Sequence, residues 1–115
     1  KIFKMIIERM ENDEYYLDPD LTSASISRKL NLPLNIFSQV INQNNKSNFR
    51  DFINSFRIQK AKESIIQQSK KGFTISSIAF ECGFNSLSAF NRAFKKATNL
   101  TPSEYIKSQS SATNN

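Results

Sequence analysis

Histidine and tryptophan are absent from this chain of 115 residues, and cysteine occurs once. Histidine is the side chain that most often transfers protons near neutral pH, and no pair of carboxylates stands out in its place. Histidine and groups of cysteines are also the usual ligands of zinc, so a zinc site is disfavoured. We therefore expect that the chain is not an enzyme and that it holds no metal and no cofactor.

The single cysteine, Cys82, cannot form a disulfide within the chain, which favours a reducing compartment. We expect it to be a buried small residue, because the sequence offers no partner for a redox or metal role. The chain also has no apolar run near the roughly 20 residues of a membrane span, and no signal-peptide pattern at its start. The segment is therefore expected to make no contact with a membrane.

Only two glycines and three prolines interrupt the chain, which favours helices over a turn-rich β fold. Apolar residues recur at helical spacing in several segments, which capping and helix-breaking residues separate. The predicted helices, seven in number, cover residues 1–14, 22–30, 34–44, 49–69, 74–82, 86–98 and 101–107. The fold class is therefore all-α. The polar tail over residues 109–115 is expected to be disordered.

Two parts of the chain share one pattern, in which a cap precedes a short helix, a turn and a second helix with a polar face. The first copy covers about residues 20–48 and the second about residues 72–107, with a connecting helix over about 49–71. Two helices joined by a tight turn are typical of a helix-turn-helix, whose second helix enters the DNA major groove. We predict one domain over residues 1–108 that contains two such units.

The length of the connecting helix suits double-stranded DNA. A helix of about 21 residues spans roughly 30 Å, and successive major-groove faces on one side of B-DNA are about 34 Å apart. A rigid rod of this length would hold both reading helices on one face of the duplex. Neither a dimer nor a palindromic site would then be required.

The helix over residues 86–98 has the two faces that a reading helix needs. Phe90, Phe94 and Ala97 recur at helical spacing and would hold the helix on the core. The opposite side carries Leu87, Ser88, Asn91, Arg92 and Lys95. Arginine donates two hydrogen bonds to guanine and asparagine pairs with adenine. Lys95 and Lys96 lie further along the helix and suit phosphates.

The helix over residues 34–44 offers only uncharged polar side chains, which are Asn35, Ser38, Gln39 and Asn42. They suit adenine edges or a looser approach to the groove. Residues 1–48 balance six basic with six acidic residues, whereas residues 49–115 hold ten basic and four acidic residues, the whole excess of +6. Such a basic half attracts a polyanion, although the same charge also suits a solvated surface.

These features resemble the C-terminal DNA-binding domain of the AraC/XylS family of bacterial transcription regulators. The resemblance covers about residues 20–107. Within the second unit it is carried by Ile75, Ile78, Ala79, Gly83, Phe84, Ser86, Ala89, Phe90, Arg92, Phe94, Lys95, Lys96 and residues 100–105. Residues 49–53, Arg57, Ala61 and Lys62 are similar to the connecting helix of the family.

The resemblance implies a homeodomain-like arrangement of seven helices, in which the third and the sixth read DNA. It implies base contacts from Asn35, Ser38, Gln39, Leu87, Ser88, Asn91 and Arg92. It implies phosphate contacts from Thr22, Asn42, Thr74, Ser86, Lys95 and Lys96, in part because helix N-termini attract phosphate. The chain departs from the family at Asn31, Asn99 and Lys46, where glycine is usual, and at Ser27, where a small apolar residue is usual.

Several of these residues have a plainer interpretation. Leu87 is either a partly exposed residue at the helix start or a contact for a thymine methyl group. Arg92 either contacts DNA or pairs with Glu81. The phenylalanines are predicted to form the core and not to stack on single strands; they are Phe49, Phe52, Phe56, Phe84, Phe90 and Phe94.

The sequence thus predicts specific binding of double-stranded DNA and regulation of transcription, with helices 34–44 and 86–98 in adjacent major-groove faces. Because residue 1 is lysine and not methionine, we expect the output domain of a larger bacterial regulator, with a sensor or dimerisation domain upstream. It would lie in the cytoplasm or form the cytoplasmic portion of a membrane-bound sensor-regulator. RNA polymerase is a candidate second partner. The alternative is a helical protein–protein interaction module without DNA binding.

Overall fold

The computed structural model describes residues 1–45, 48–68 and 72–113. Over these residues the regular structure is helical, without a strand, which confirms the predicted all-α fold of seven helices. The helices are α1 (Ile2–Asp13), α2 (Ser23–Lys29), α3 (Leu34–Asn45), α4 (Phe49–Gln68), α5 (Ile75–Glu81), α6 (Leu87–Thr98) and α7 (Pro102–Thr113). A short 3-10 helix over Tyr15–Leu17 follows α1. No helix among the described residues is long and apolar enough to cross a membrane.

The chain divides into two compact units, Lys1–Phe56 and Arg57–Asn115. The division falls within α4, because the two halves of its apolar stripe belong to different cores. Phe52 is buried in the core of unit 1, and Ile65 is buried in that of unit 2. The connecting helix therefore contributes to the packing of both units.

Helices α1 to α3 and the first half of α4 share the core of unit 1. Its fully buried side chains include Ile6, Met10, Ile26, Phe37, Ile41 and Phe52. On α3, the Phe37 ring meets Phe49 edge-on with centroids 5.9 Å apart. Aromatic packing thus fixes the inner side of α3 and leaves its outer side to solvent.

Unit 2 is organised around a row of aromatic rings. Phe84, Phe90, Phe94 and Tyr105 follow one another with centroids 5.3, 5.6 and 5.2 Å apart. Phe84, Phe90 and Phe94 are buried, as is Phe52 in unit 1, whereas Phe49 and Phe56 are half-buried against the unit 1 core. The prediction that the phenylalanines form the core is confirmed.

Matching capping boxes start the first helix of each helix-turn-helix. The N–H of Ser25 donates to Thr22 Oγ1 at 3.1 Å, and the N–H of Thr22 donates to Ser25 Oγ at 3.0 Å. In the second unit the N–H of Ser77 donates to Thr74 Oγ1 at 3.0 Å, and the N–H of Thr74 donates to Ser77 Oγ at 3.3 Å. Each box satisfies N–H groups that a helix start would otherwise leave unpaired.

The turns of the two units close in the same way. The N–H of Leu32 donates to the carbonyl of Ser27 at 2.9 Å, and the N–H of Phe84 donates to that of Ala79 at 3.1 Å. Between these ends lie Asn31 at φ 57° and Gly83 at φ 101°, both left-handed. These are Schellman motifs, which end a helix and redirect the chain.

Further turns follow the sequence closely. Asn99, like Asn31, takes a left-handed conformation, which asparagine tolerates, with φ 64°, and Gly72 does so with φ 69°. Buried Ser27 is satisfied because its hydroxyl donates to the carbonyl of Ala24 at 2.9 Å. A serine is therefore accommodated where the family usually has an apolar residue.

The structure differs from the prediction at the C-terminus. Helix α7 continues to Thr113, so residues 109–113, expected to be disordered, are helical. After Pro102 the chain has neither proline nor glycine to stop the helix, and each added residue adds a hydrogen bond.

Ala97, predicted on the apolar face of α6, is exposed. Lys46, residues 69–71 and residues 114–115 lie outside the described residues, so the predicted end of the connecting helix does too.

Candidate nucleic-acid interface

Helix α6 is anchored on one side and exposed on the other. Phe90 and Phe94 are fully buried, and the half-buried Ser86 caps the helix by accepting the N–H of Ala89 at 3.1 Å. The predicted contact residues Leu87, Ser88, Asn91, Arg92, Lys95 and Lys96 are all exposed. Residues four positions apart are neighbours on a helix, so they form two rows, 87–91–95 and 88–92–96.

Helix α3 has the same arrangement. Phe37 and Ile41 are each 1% exposed and hold the helix on unit 1. The outer side carries the rows Leu34–Ser38–Asn42 and Asn35–Gln39–Gln43. All six side chains are exposed except Ser38, which is half-buried.

The two reading helices correspond residue by residue with an offset of 53. Phe37 then matches Phe90, and Ile41 matches Phe94. Helices α2 and α5 correspond with an offset of 52, so the second turn is one residue longer. The alignment adds two positions to the predicted contact residues: Leu34, the counterpart of Leu87, and Gln43, the counterpart of Lys96. An alignment of the two helix sequences by their buried residues identifies both positions.

The two surfaces differ in charge. No residue of α3 is charged, whereas α6 exposes Arg92, Lys95 and Lys96. In the part of the chain that the structure describes, Arg92 forms no ion pair with Glu81, so the plainer interpretation of this arginine is not observed. Its guanidinium is therefore accessible to an outside partner.

Lys95 has an acidic neighbour on α7. Its Nζ lies 4.0 Å from Glu104 Oε1, and both side chains are more than half exposed. The pKa of Glu104 is lowered chiefly by the hydrogen bond from the N–H of Thr101, with the charge of Lys95 a smaller cause. The carboxylate is thus fixed by the capping box of α7, and its weak, solvent-screened pull leaves Lys95 accessible.

The exposed Thr22 and Thr74 begin α2 and α5. Their hydroxyl oxygens are occupied within the capping boxes, since each accepts an N–H from its own helix. The N–H groups of the first two helical residues lie outside the boxes and point away from each helix start. A phosphate at these positions could therefore accept from these backbone N–H groups and also from the threonine O–H, because each box uses the threonine oxygen only as an acceptor.

Cys82 does not belong to this surface. Its side chain is fully buried at the end of α5, and burial raises the pKa of its thiol to about 11. A protonated, buried thiol is a poor nucleophile and a poor metal ligand. The prediction of a buried small residue is confirmed.

Each unit contains a capped helix, a Schellman turn and a second helix with an exposed face. This arrangement defines a domain of the helix-turn-helix class. The sequence matches a family model described as a helix-turn-helix domain over residues 26–108. The chain belongs to this family, in its AraC type. The family consists of DNA-binding domains of transcription regulators and not of enzymes.

The chain is also similar to individual bacterial regulators. It is 44% identical to the TCP pilus virulence regulatory protein of Vibrio cholerae over 59 residues, which cover 50% of this chain and 20% of the relative. The C-terminal domain of the two-component response regulator yesN from Fusobacterium nucleatum has a TM-score of 0.73 and 28% identity, with 91% of this chain and 97% of that chain covered.

The same fold occurs in the C-terminal domain of AraT, a response regulator from Geobacillus stearothermophilus. The TM-score is 0.73 with 28% identity, and the match covers 90% of this chain and 84% of that chain. The match to the Vibrio cholerae protein thus spans about a fifth of that regulator, whereas the solved domains are matched over most of their length.

Proposed function

We propose that the chain binds double-stranded DNA at specific sequences and regulates transcription as the output domain of a larger bacterial regulator. Helices α3 and α6 read adjacent major-groove faces. Base contacts come from Asn35, Ser38, Gln39, Leu87, Ser88, Asn91 and Arg92. Phosphate contacts come from Asn42, Ser86, Lys95, Lys96 and the helix starts at Thr22 and Thr74.

The observation that carries this proposal is the repetition of one exposed surface. Both α3 and α6 turn a buried phenylalanine inward and two rows of mainly polar side chains outward at matching positions. Amide and guanidinium groups are the side-chain groups that form bidentate pairs with adenine and guanine in the major groove. The outward positions of α3 and α6 match while most of their residues differ, which supports two similar contacts with different base pairs.

The two helices have unequal parts in this proposal. Arg92, Lys95 and Lys96 supply α6 with the charge that draws in phosphate and, through Arg92, with a partner for guanine. Helix α3 brings no charge, so Asn35 and Gln39 favour adenine by hydrogen bonding at contact. Most of the electrostatic attraction therefore belongs to unit 2.

The length of α4 supports the reading of two grooves. Its 20 residues form one helix, which corresponds to about 30 Å against the roughly 34 Å between major-groove faces on one side of B-DNA. A single chain can then occupy two successive grooves. The site is expected to be asymmetric, because the two reading helices differ in every outward position except the leucines.

The share of each relative that is matched supports the proposal of a larger regulator. The matched response-regulator structures are C-terminal domains, and the Vibrio cholerae regulator is about five times as long as its matched part. We propose an upstream sensor or dimerisation domain, a cytoplasmic location for this domain, and RNA polymerase as a second partner.

One observation favours an additional protein contact. Ile66 and Phe80 in unit 2 are each 58% exposed, more than the other large apolar side chains of the described residues. A helical interaction module without DNA binding would use such residues and would ignore the rows on α3 and α6. The two functions differ in salt dependence, because only duplex binding releases counterions from phosphates.

Selection of bound sites from a random duplex library tests the proposed function. We expect one asymmetric motif with two conserved segments centred about 10 base pairs apart, one helical turn. Affinity for the selected duplex should fall steeply between low and physiological salt. A motif confined to a few contiguous base pairs would contradict reading by two helices. Absence of any salt-dependent duplex binding would favour the interaction module.

A further inference from the structure

Two large apolar side chains occupy the same exposed position in the two units. Leu34 is 46% exposed and Leu87 is 38% exposed. Each is the first residue of its reading helix, three positions before the buried phenylalanine, and they match at the offset of 53 that aligns α3 with α6. The other large hydrophobic side chains exposed in the described part of the chain, Ile2, Ile66 and Phe80, lie on other helices.

Folding does not explain these leucines. Neither belongs to the buried cluster of its unit or to the side chains packed against that cluster. Neither is placed to form a hydrophobic staple, which uses the residue before the N-cap and not the first helical residue. An apolar side chain left in water at matched positions in both units points instead to a partner.

The neighbours of each leucine indicate what that partner offers. Leu34 begins the row that continues with Ser38 and Asn42, and Leu87 begins the row with Asn91 and Lys95. These rows carry the hydrogen-bonding groups assigned to bases and phosphates, so each leucine would enter the same groove. The thymine C5-methyl is the apolar group that base edges present there.

We propose that Leu34 and Leu87 each pack against the methyl group of one thymine, so that each unit specifies a thymine at one position. The inference rests on the proposed function and adds Leu34 to the specificity-determining residues. It also gives the uncharged helix α3 a preference for A·T pairs that does not depend on charge, since Asn35 and Gln39 suit adenine.

Replacement of single thymines by deoxyuridine in the selected duplex provides the test, because uracil lacks only the methyl group. For the 115-residue chain, we expect affinity to fall about fourfold at one thymine in each half of the site, the value for one buried methyl group. Leu34→Ala should abolish this loss at one of the two thymines and keep it at the other. Leu87→Ala should show the reverse.

Two controls accompany these variants. Ile2→Ala removes an equally exposed side chain, 40% exposed on α1, and should leave both deoxyuridine effects unchanged. Leu34→Met retains an apolar contact and should keep the effect. Circular dichroism melting should give near wild-type curves, because the leucines contribute little to the cores.

The result that would overturn the inference is a deoxyuridine effect that persists unchanged at every thymine in Leu34→Ala and Leu87→Ala while both still bind the selected duplex. An absence of any deoxyuridine effect in the wild type would overturn it as well. Both outcomes leave specific DNA binding intact. Failure to select any motif would instead overturn the proposed function and this inference together.

Discussion

Arg92 is exposed on α6 between Ser88 and Lys96. Its guanidinium forms no ion pair with Glu81, the acidic partner considered from the sequence. A guanidinium that recognises guanine needs both of its donor edges free of protein partners, because the bidentate pair uses two parallel N–H groups. Under the proposed function, the specificity of unit 2 would depend more on this residue than on the two lysines, which suit phosphates at any sequence.

Arg92→Ala should weaken binding to the selected duplex by about 1–3 kcal/mol and relax the preference at one base pair. Arg92→Lys is the matched control, since it keeps the charge and loses the fork of donors. It should retain binding to unrelated duplexes but not the base preference. Dissociation constants for the selected duplex and its single-pair variants measure both effects. An equal loss on all sequences would mean that Arg92 contacts only phosphate.

At single positions the sequence was informative where the chemistry is local. The left-handed Asn31 and Asn99 follow from the tolerance of asparagine for positive φ. The hydroxyl of Ser27 was flagged as a departure, but its bond to Ala24 depends on a rotamer that the sequence does not specify. The exposure of Leu34 was missed because its helical spacing alone does not distinguish a core residue from a surface one.

Capping boxes at the starts of α2 and α5 are complete without any partner. Helix capping by Thr22 and Thr74 can therefore be separated by charge from the phosphate contacts proposed at these helix starts. A carboxylate is a good N-cap and favours the positive end of the helix dipole, whereas the same charge repels phosphate. The neutral asparagine caps a helix about as well.

Thr74→Asp should keep the free energy of unfolding within about 1 kcal/mol of the wild type and weaken duplex binding about tenfold at low salt. Asparagine has nearly the same shape as aspartate but no charge, so Thr74→Asn should bind like the wild type. Urea unfolding and a salt series of dissociation constants provide the measurements. Equal affinity for the Asp and Asn variants would show that no phosphate lies near this helix start.

Helix positions were predictable because caps, breakers and apolar spacing are local signals. The predicted helix 86–98 and the observed Leu87–Thr98 differ only in the treatment of the cap residue. The 3-10 helix over Tyr15–Leu17 was not predicted, since it is stabilised by distant residues. Tyr16 stacks on Phe56 at 5.7 Å between centroids. The C-terminal extension of α7 was not predicted, because the polar tail suggested disorder and no proline or glycine marks where the helix ends.

Among the described residues each of the two units has its own hydrophobic cluster. The cluster of unit 1 contains residues between Ile6 and Ile53, and that of unit 2 contains residues between Ile58 and Phe94. The sequence indicated the repetition of the two units but not the sharing of α4, because its apolar stripe continues without a break. A stability defect in one unit should therefore remain largely within it.

Phe37→Ala and Phe90→Ala each remove a buried ring at matched positions and should each cost about 3–5 kcal/mol. Native-state amide exchange should accelerate mainly over residues 1–56 in the first variant and mainly over residues 57–113 in the second. Mass spectrometry of exchange by peptide resolves the two. A uniform acceleration over the whole chain in both variants would show a single cooperative core.

The absence of charge on α3 has a consequence for timing. Charges act over about 8 Å at physiological ionic strength, whereas amide and apolar groups act only on contact. Under the proposed function, α6 would set the rate at which the domain meets a duplex, and α3 would set how long it stays on a matched site. Sequence changes in the half of an operator under α3 would then shorten residence and leave the frequency of visits almost unchanged.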